Sequence, residues 1–174
     1  GLTTQDIRLD AYYNELPLPL PFCALRIQHN GPPGSLIADV VAWNENGEVE
    51  AIGTRNEADG YAGSLASYWS FDDDTDFYIF LTNMGEEDCR VGFRIEAGEV
   101  EYHLTRLKLL PHETKVINMR ELRDRQEPDF RGTMIPANVS EGRLMYIRLD
   151  NVPMMGRVVS VSRPKGAGAN SLLK

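Results

Sequence analysis

Apolar and polar residues alternate along much of this chain with a period of two, the spacing of a strand with one buried face. The clearest run is Cys89-Arg90-Val91-Gly92-Phe93-Arg94-Ile95-Glu96, where Cys89, Val91, Phe93 and Ile95 take one face and Arg90, Arg94 and Glu96 the other. Ala97-Gly98-Glu99 follows, and Val100, Tyr102 and Leu104 then alternate with Glu101, His103 and Thr105, which predicts a β-hairpin. Further strands are predicted at 36–43, 48–54, 64–69, 77–82, 115–119, 142–150 and 157–162. Turn formers stand between them at Asn44-Glu45-Asn46-Gly47, Asn83-Met84-Gly85 and Pro111-His112-Glu113. Only Arg120 to Arg125 predicts a helix, and Pro128 closes it. Short strands punctuated in this way predict an all-β fold, an antiparallel β-sandwich of jelly-roll-like or immunoglobulin-like type.

An internal repeat divides the chain. Phe22, Ile27, Asn30, Gly34 and Leu36 recur 108 positions later as Phe130, Ile135, Asn138, Gly142 and Leu144. That is five identities in fifteen ungapped positions, against roughly one from average residue usage. Each copy predicts a hairpin-like unit: a strand with Phe and Ile, a turn with Asn and Gly, and a second strand opening at Leu. The expected organisation is residues 1–55 as the second half of a repeated β module, residues 56–165 as a complete module, and residues 166–174 as a flexible tail. On this reading residues 1–55 pack on the complete module and bury Leu36, Val40 and Trp43. Pro17, Pro19 and Pro21 confine their stretch to an edge or a linker.

Charge narrows the partners. Lys and Arg number 18 against 26 Asp and Glu, a net charge of −8, which repels phosphate backbones and anionic lipid surfaces. Nucleic acid is not an expected partner. The longest apolar stretches, such as Phe77 to Leu81, fall far short of the roughly 20 residues of a membrane span. Cys23 and Cys89 show no metal-ligand spacing; they are either a disulfide closing a long loop or two small buried residues.

Three short motifs carry a resemblance. Phe80-Leu81-Thr82-Asn83-Met84-Gly85-Glu86-Glu87-Asp88, the Leu110-Pro111-His112-Glu113-Thr114 turn, and Arg131-Gly132-Thr133 followed by Arg148-Leu149-Asp150 resemble the β-sandwich of the sensory rhodopsin transducer family. They resemble equally the modules repeated in bacterial secreted proteins, where a strand ending in Asn-x-Gly-(Asp/Glu)-Glu precedes a Leu-Pro-x-x-Thr turn. The resemblance implies a compact sandwich without catalytic machinery, in an extracytoplasmic bacterial setting.

Candidate chemistry concentrates after residue 60. Asp72, Asp74 and Asp76 alternate as the opening ligands of a calcium loop do, yet Phe77 stands where an EF-hand needs Gly and Asn83 where it needs Glu. Calcium is therefore the one candidate cofactor, and a solvated acidic loop is the alternative. Tyr68, Trp69 and Phe71 lie beside these carboxylates, together with Tyr61, and aromatic faces next to carboxylates are suited to sugars. Adjacent Tyr68 and Trp69 must point to opposite faces of a strand, so only one of them can be core. His29, His103 and His112 have no partnered nucleophile motif, and no phosphate-cradling loop is present. The expectation is a non-catalytic interaction or structural module, with a protein or a neighbouring module as partner. A carbohydrate-binding module, calcium-assisted or not, is the alternative, and an oligomeric transducer-like signalling protein is a third reading.

Overall fold

The computed structural model describes residues 7, 27–32, 35–36, 38–43, 49–53 and 64–162. Its strands are β1 (Asp39–Trp43), β2 (Val49–Gly53), β3 (Ser64–Ser70), β4 (Thr75–Asn83), β5 (Cys89–Ala97), β6 (Val100–Leu109), β7 (Thr114–Asn118), β8 (Glu141–Arg148) and β9 (Met154–Ser162), with one helix, α1 (Met119–Asp124). Every segment predicted as strand from the alternation overlaps one. Cys23, the proline stretch and the C-terminal tail lie outside the described residues.

Seven strands form two antiparallel sheets, one ordered β3-β8-β5-β6 and the other β7-β4-β9. Only the β5–β6 hairpin stays within one sheet; every other step from β3 to β9 crosses to the opposite one. Between the sheets lies a single core. Val91, Phe93, Ile95, Leu144 and Tyr146 come from the first sheet, and Phe77, Ile79, Leu81 and Met154 from the second. This is an all-β sandwich, held chiefly by apolar burial. Strands β1 and β2 make a separate two-stranded sheet.

Local chemistry explains the turns. Gly98 takes φ +63° as the first of two loop residues between Ala97 and Val100, where a primed hairpin turn needs glycine. A bulge lies further along this hairpin, between the pairs Val91↔Leu107 and Phe93↔Leu104. It reverses the inward parity of β6, so that Tyr102 and Leu104 before it and Leu107 and Leu109 after it all reach the core. Strand β7 runs straight into α1 because Asn118 Oδ1 caps it, accepting the N–H of Arg120 at 2.9 Å and of Glu121 at 3.3 Å. Met119 then enters the core.

The repeat is realised differently from the hairpin expected of it. Residues 130–140 contain no strand, Phe130 is exposed in a turn, and Gly142 lies inside β8 rather than in a turn. Gly142 is needed because a Cβ there would stand 2.0 Å from Glu96 O and 3.0 Å from the Trp69 ring. In the first copy, Ile27 and Asn30 carry no strand, and Leu36 precedes β1 and is exposed rather than buried. The second copy is thus not a hairpin, and Phe22 and Gly34 of the first lie outside the described residues.

Candidate interaction surface

The acidic and aromatic residues of 68–76 are drawn apart by the fold. Trp69 is 1% exposed, its indole N–H donates to Arg143 O at 3.2 Å, and its ring stacks on Phe71 at 5.8 Å between centroids. Phe71 is also buried, and the guanidinium carbons of Arg120 and Arg123 each lie 4.6 Å from its ring centre. Tyr68 faces the other way and is 75% exposed, as the alternation of a strand requires. Two of the three rings therefore face inward, and Tyr68 is left outside without them.

The aspartates likewise go to separate tasks. Asp72 Oδ1 accepts from the Thr75 hydroxyl at 2.8 Å and from the Asp74 N–H at 2.9 Å, closing its own turn. The Thr75 hydroxyl, and next the Asp74 N–H, hold the Asp72 carboxyl below the usual carboxylate range. Asp74 is exposed, while Asp76 is buried with Oδ1 2.5 Å from Arg120 Nε. Among the described residues, no group of three His, Cys, Asp or Glu side chains is placed to hold a metal ion.

The three short motifs prove to be loop fasteners. Asn83 is fully buried; its Nδ2 donates to the carbonyls of Glu87 (2.7 Å), Leu110 (2.9 Å) and Leu109 (3.3 Å), and its Oδ1 accepts the Gly85 N–H at 2.9 Å. Its backbone N–H donates to Glu113 O at 2.9 Å, which ties the Leu110-Pro111-His112-Glu113 turn to the end of β4. Asp129 plays the same part beside Arg131-Gly132-Thr133, accepting N–H groups from Arg131, Thr133 and His103 at 2.8 to 2.9 Å. Desolvation opposes ionisation of Asp129, but these backbone donors outweigh it and hold its pKa low. Asp150 accepts the Arg90 N–H at 3.0 Å. All three side chains satisfy backbone groups of loops or strands, which is structural work.

The chemistry left to solvent lies on the outer face of the four-stranded sheet. Register lines up Tyr68, Arg143, Glu96 and Glu101 in one row across all four strands. The Arg143 guanidinium lies over Tyr68 at 5.7 Å and 3.9 Å from Glu96. Arg94 bonds Glu96 and lies 3.4 Å from Glu101, which in turn receives His103 at 2.6 Å and Arg131 at 3.7 Å. The bond to Glu96, and then the Glu101 charge, raise the Arg94 pKa, and the same bond lowers that of Glu96. Beside this charged row stand Ile147, 43% exposed, and Leu149, also exposed, which lies against Gly92. Alternation along 142–150 carried the signal for this patch: Met145, Ile147 and Leu149 are apolar where a strand with one buried face would be polar.

The face is shallow. A depression lined by Ala66, Arg94, Glu96, Arg143, Leu144 and Met145 has a volume of about 10 Å³, room for one water. The histidines add no catalytic arrangement among the described residues. His103 pairs with Glu101, His112 with Glu86 at 3.0 Å, and His29 Nδ1 accepts from Gly31 N–H and lies 3.3 Å from Ser35 Oγ in an exposed loop. Cys89 is buried in the core, and no described helix is long and apolar enough to cross a membrane.

No family model and no curated protein matches the chain. Among solved structures, it is similar to the Anabaena sensory rhodopsin transducer at 18% identity and a TM-score of 0.39, over 56% of this chain and 95% of that one.

Proposed function

We propose that this chain is a non-catalytic β-sandwich module that binds a protein partner through the outer face of the sheet β3-β8-β5-β6. One observation carries the reading. That face combines an exposed ring, exposed aliphatic side chains and a row of mutually paired charges on a surface without a cleft. The charges run across the middle strands while the apolar side chains stand on the edge strand β3 and at one end of β8, and exposed apolar residues on a shallow surface suit a protein contact, whereas small-molecule sites are concave. The inward direction of Trp69 and Phe71 favours a protein over a sugar, because stacking on a pyranose needs open rings.

The test selects binders from a displayed peptide library on the immobilised chain, then measures them against the Tyr68→Ala/Ile147→Asp variant. A loss of affinity of at least tenfold in a variant with unchanged melting temperature is expected. Binders indifferent to both substitutions overturn the reading. A second arm measures thermal unfolding against soluble glycans, with calcium and with chelator, since a ligand of the native state raises the midpoint. A rise with one sugar class that is lost in Tyr68→Ala moves the function to carbohydrate binding.

A further inference from the structure

The edge of a sheet leaves a row of backbone N–H and C=O groups, which natural proteins cover, interrupt or guard with charge. The sandwich has four such edges, β3 and β6 on the larger sheet and β7 and β9 on the smaller. Three of them are protected. On β6, Asp129 takes up the His103 N–H at 2.9 Å, Lys115 Nζ donates to the Lys108 carbonyl at 2.6 Å, and the bulge interrupts the row. Strand β7 has only five residues, Lys115 among them, and β9 carries Arg157 near its middle.

Strand β3 has none of these devices. Its seven residues, Ser64–Ser70, include no charge and no proline, and they pair with β8 in unbroken register on one side. Among the described residues, no backbone hydrogen bond reaches the other side. Ala66, Tyr68 and Ser70 stand exposed on the outer face. We propose that this edge pairs with the same edge of a second copy, antiparallel and about a two-fold axis at Ser67, which joins two four-stranded sheets into one of eight. Ser67 is the middle of the strand, so this register pairs all seven residues. It sets Tyr68 of each copy opposite Ala66 of the other, a large side chain beside a small one, while Arg143 flanks the Tyr68 ring from its own copy at 5.7 Å.

Charge agrees with this register. A net charge of −8 opposes the approach of a second copy, but no like charges meet along this join. The cross-strand rows run from Arg143 of one copy to Met145 of the other, and from Glu141 to Ile147. The inference does not rest on the proposed function, because a join along the edge leaves Ile147, Leu149 and the charged row open on each copy.

The test is sedimentation velocity of the full chain from low to high micromolar concentration. Expected is a reversible rise towards twice the mass of one chain. Association should be roughly tenfold weaker in Ala66→Lys, which adds a cation to each copy close to the axis at an exposed position. On oxidation Ser67→Cys should link two copies, because residue 67 faces itself across the axis, whereas Ser70→Cys should not. Both are read against the parent chain with its own Cys23 and Cys89. A chain that stays monomeric at every concentration overturns the proposal. So does a dimer that Ala66→Lys leaves intact, or one that Ser70→Cys links and Ser67→Cys does not. If Ala66→Lys melts earlier than the parent in dilute solution, the two cysteine variants alone decide.

Discussion

Strand β4 is held at both ends by a buried polar side chain, and the two ends are held by different chemistry. At the first, the Asp76 carboxylate meets Arg120, whose guanidinium also donates to the carbonyls of Asp72 and Thr75 and covers Phe71. At the last, the neutral Asn83 amide donates to three carbonyls and accepts one N–H. A charged anchor gains strength from low dielectric but requires desolvation of both ions. A neutral amide avoids that cost, yet its loss orphans several backbone groups at once. The comparison teaches that one strand can register its loops by an ion pair to the helix that follows its neighbouring strand at one end and by an amide within the loops at the other.

Three measurements sharpen or break this comparison. The largest effect is expected for Asn83→Ala, about 4 kcal/mol of lost stability in urea unfolding, because three carbonyls and one N–H lose their partner at a fully buried site. A loss under about 1 kcal/mol would mean that water replaces the amide. Asp76→Ala comes next, at about 3 kcal/mol, since Arg120 is left charged and mostly buried. The double variant Asp76→Leu/Arg120→Met should recover part of that loss, and a double variant worse than the single one would show that the contacts of Arg120 to Asp72, Thr75 and Phe71 dominate.

The smallest effect is one of pH, and it separates the two ends. Asp72, beside the charged end, has a folded pKa lowered first by the Thr75 hydroxyl. A lowered carboxyl pKa contributes stability above the unfolded value of about 3.9, and that contribution is lost as pH falls through the lower folded value. Stability measured from about pH 5 downward should therefore fall less steeply in Asp72→Asn than in the parent chain. Asn83 does not titrate, so the Asn83→Ala loss should be the same at neutral and mildly acid pH. An equal acid slope in parent and Asp72→Asn would remove Asp72 from the acid response.

The strands were legible because their signal is local. The predicted run 77–82 lies within the observed Thr75–Asn83, and 89–96 nearly coincides with Cys89–Ala97. The predicted helix 120–125 is displaced by one residue from Met119–Asp124. The site was less legible. Asp76 read as one member of an alternating acidic series, while its partner Arg120 lies 44 positions away. Asn83 read as a turn former, and nothing local shows that its amide reaches Leu109 and Leu110, 26 and 27 positions on. Trp69 could be assigned to one of two faces but not to the inner one, since that choice depends on which side meets the second sheet.

Alternation by itself determined that this chain is all-β, where its strands lie, and that Cys89, Val91, Phe93 and Ile95 share a buried face, because the period of a strand is a property of adjacent residues. Only the tertiary structure decided that a bulge carries β6 on to Leu109, that Gly142 makes room for Trp69, and that Phe130 stays outside while Ile135 of the same repeat copy goes in. Each of these depends on atoms brought together from strands far apart in the chain, and contacts of that kind leave no period in the sequence.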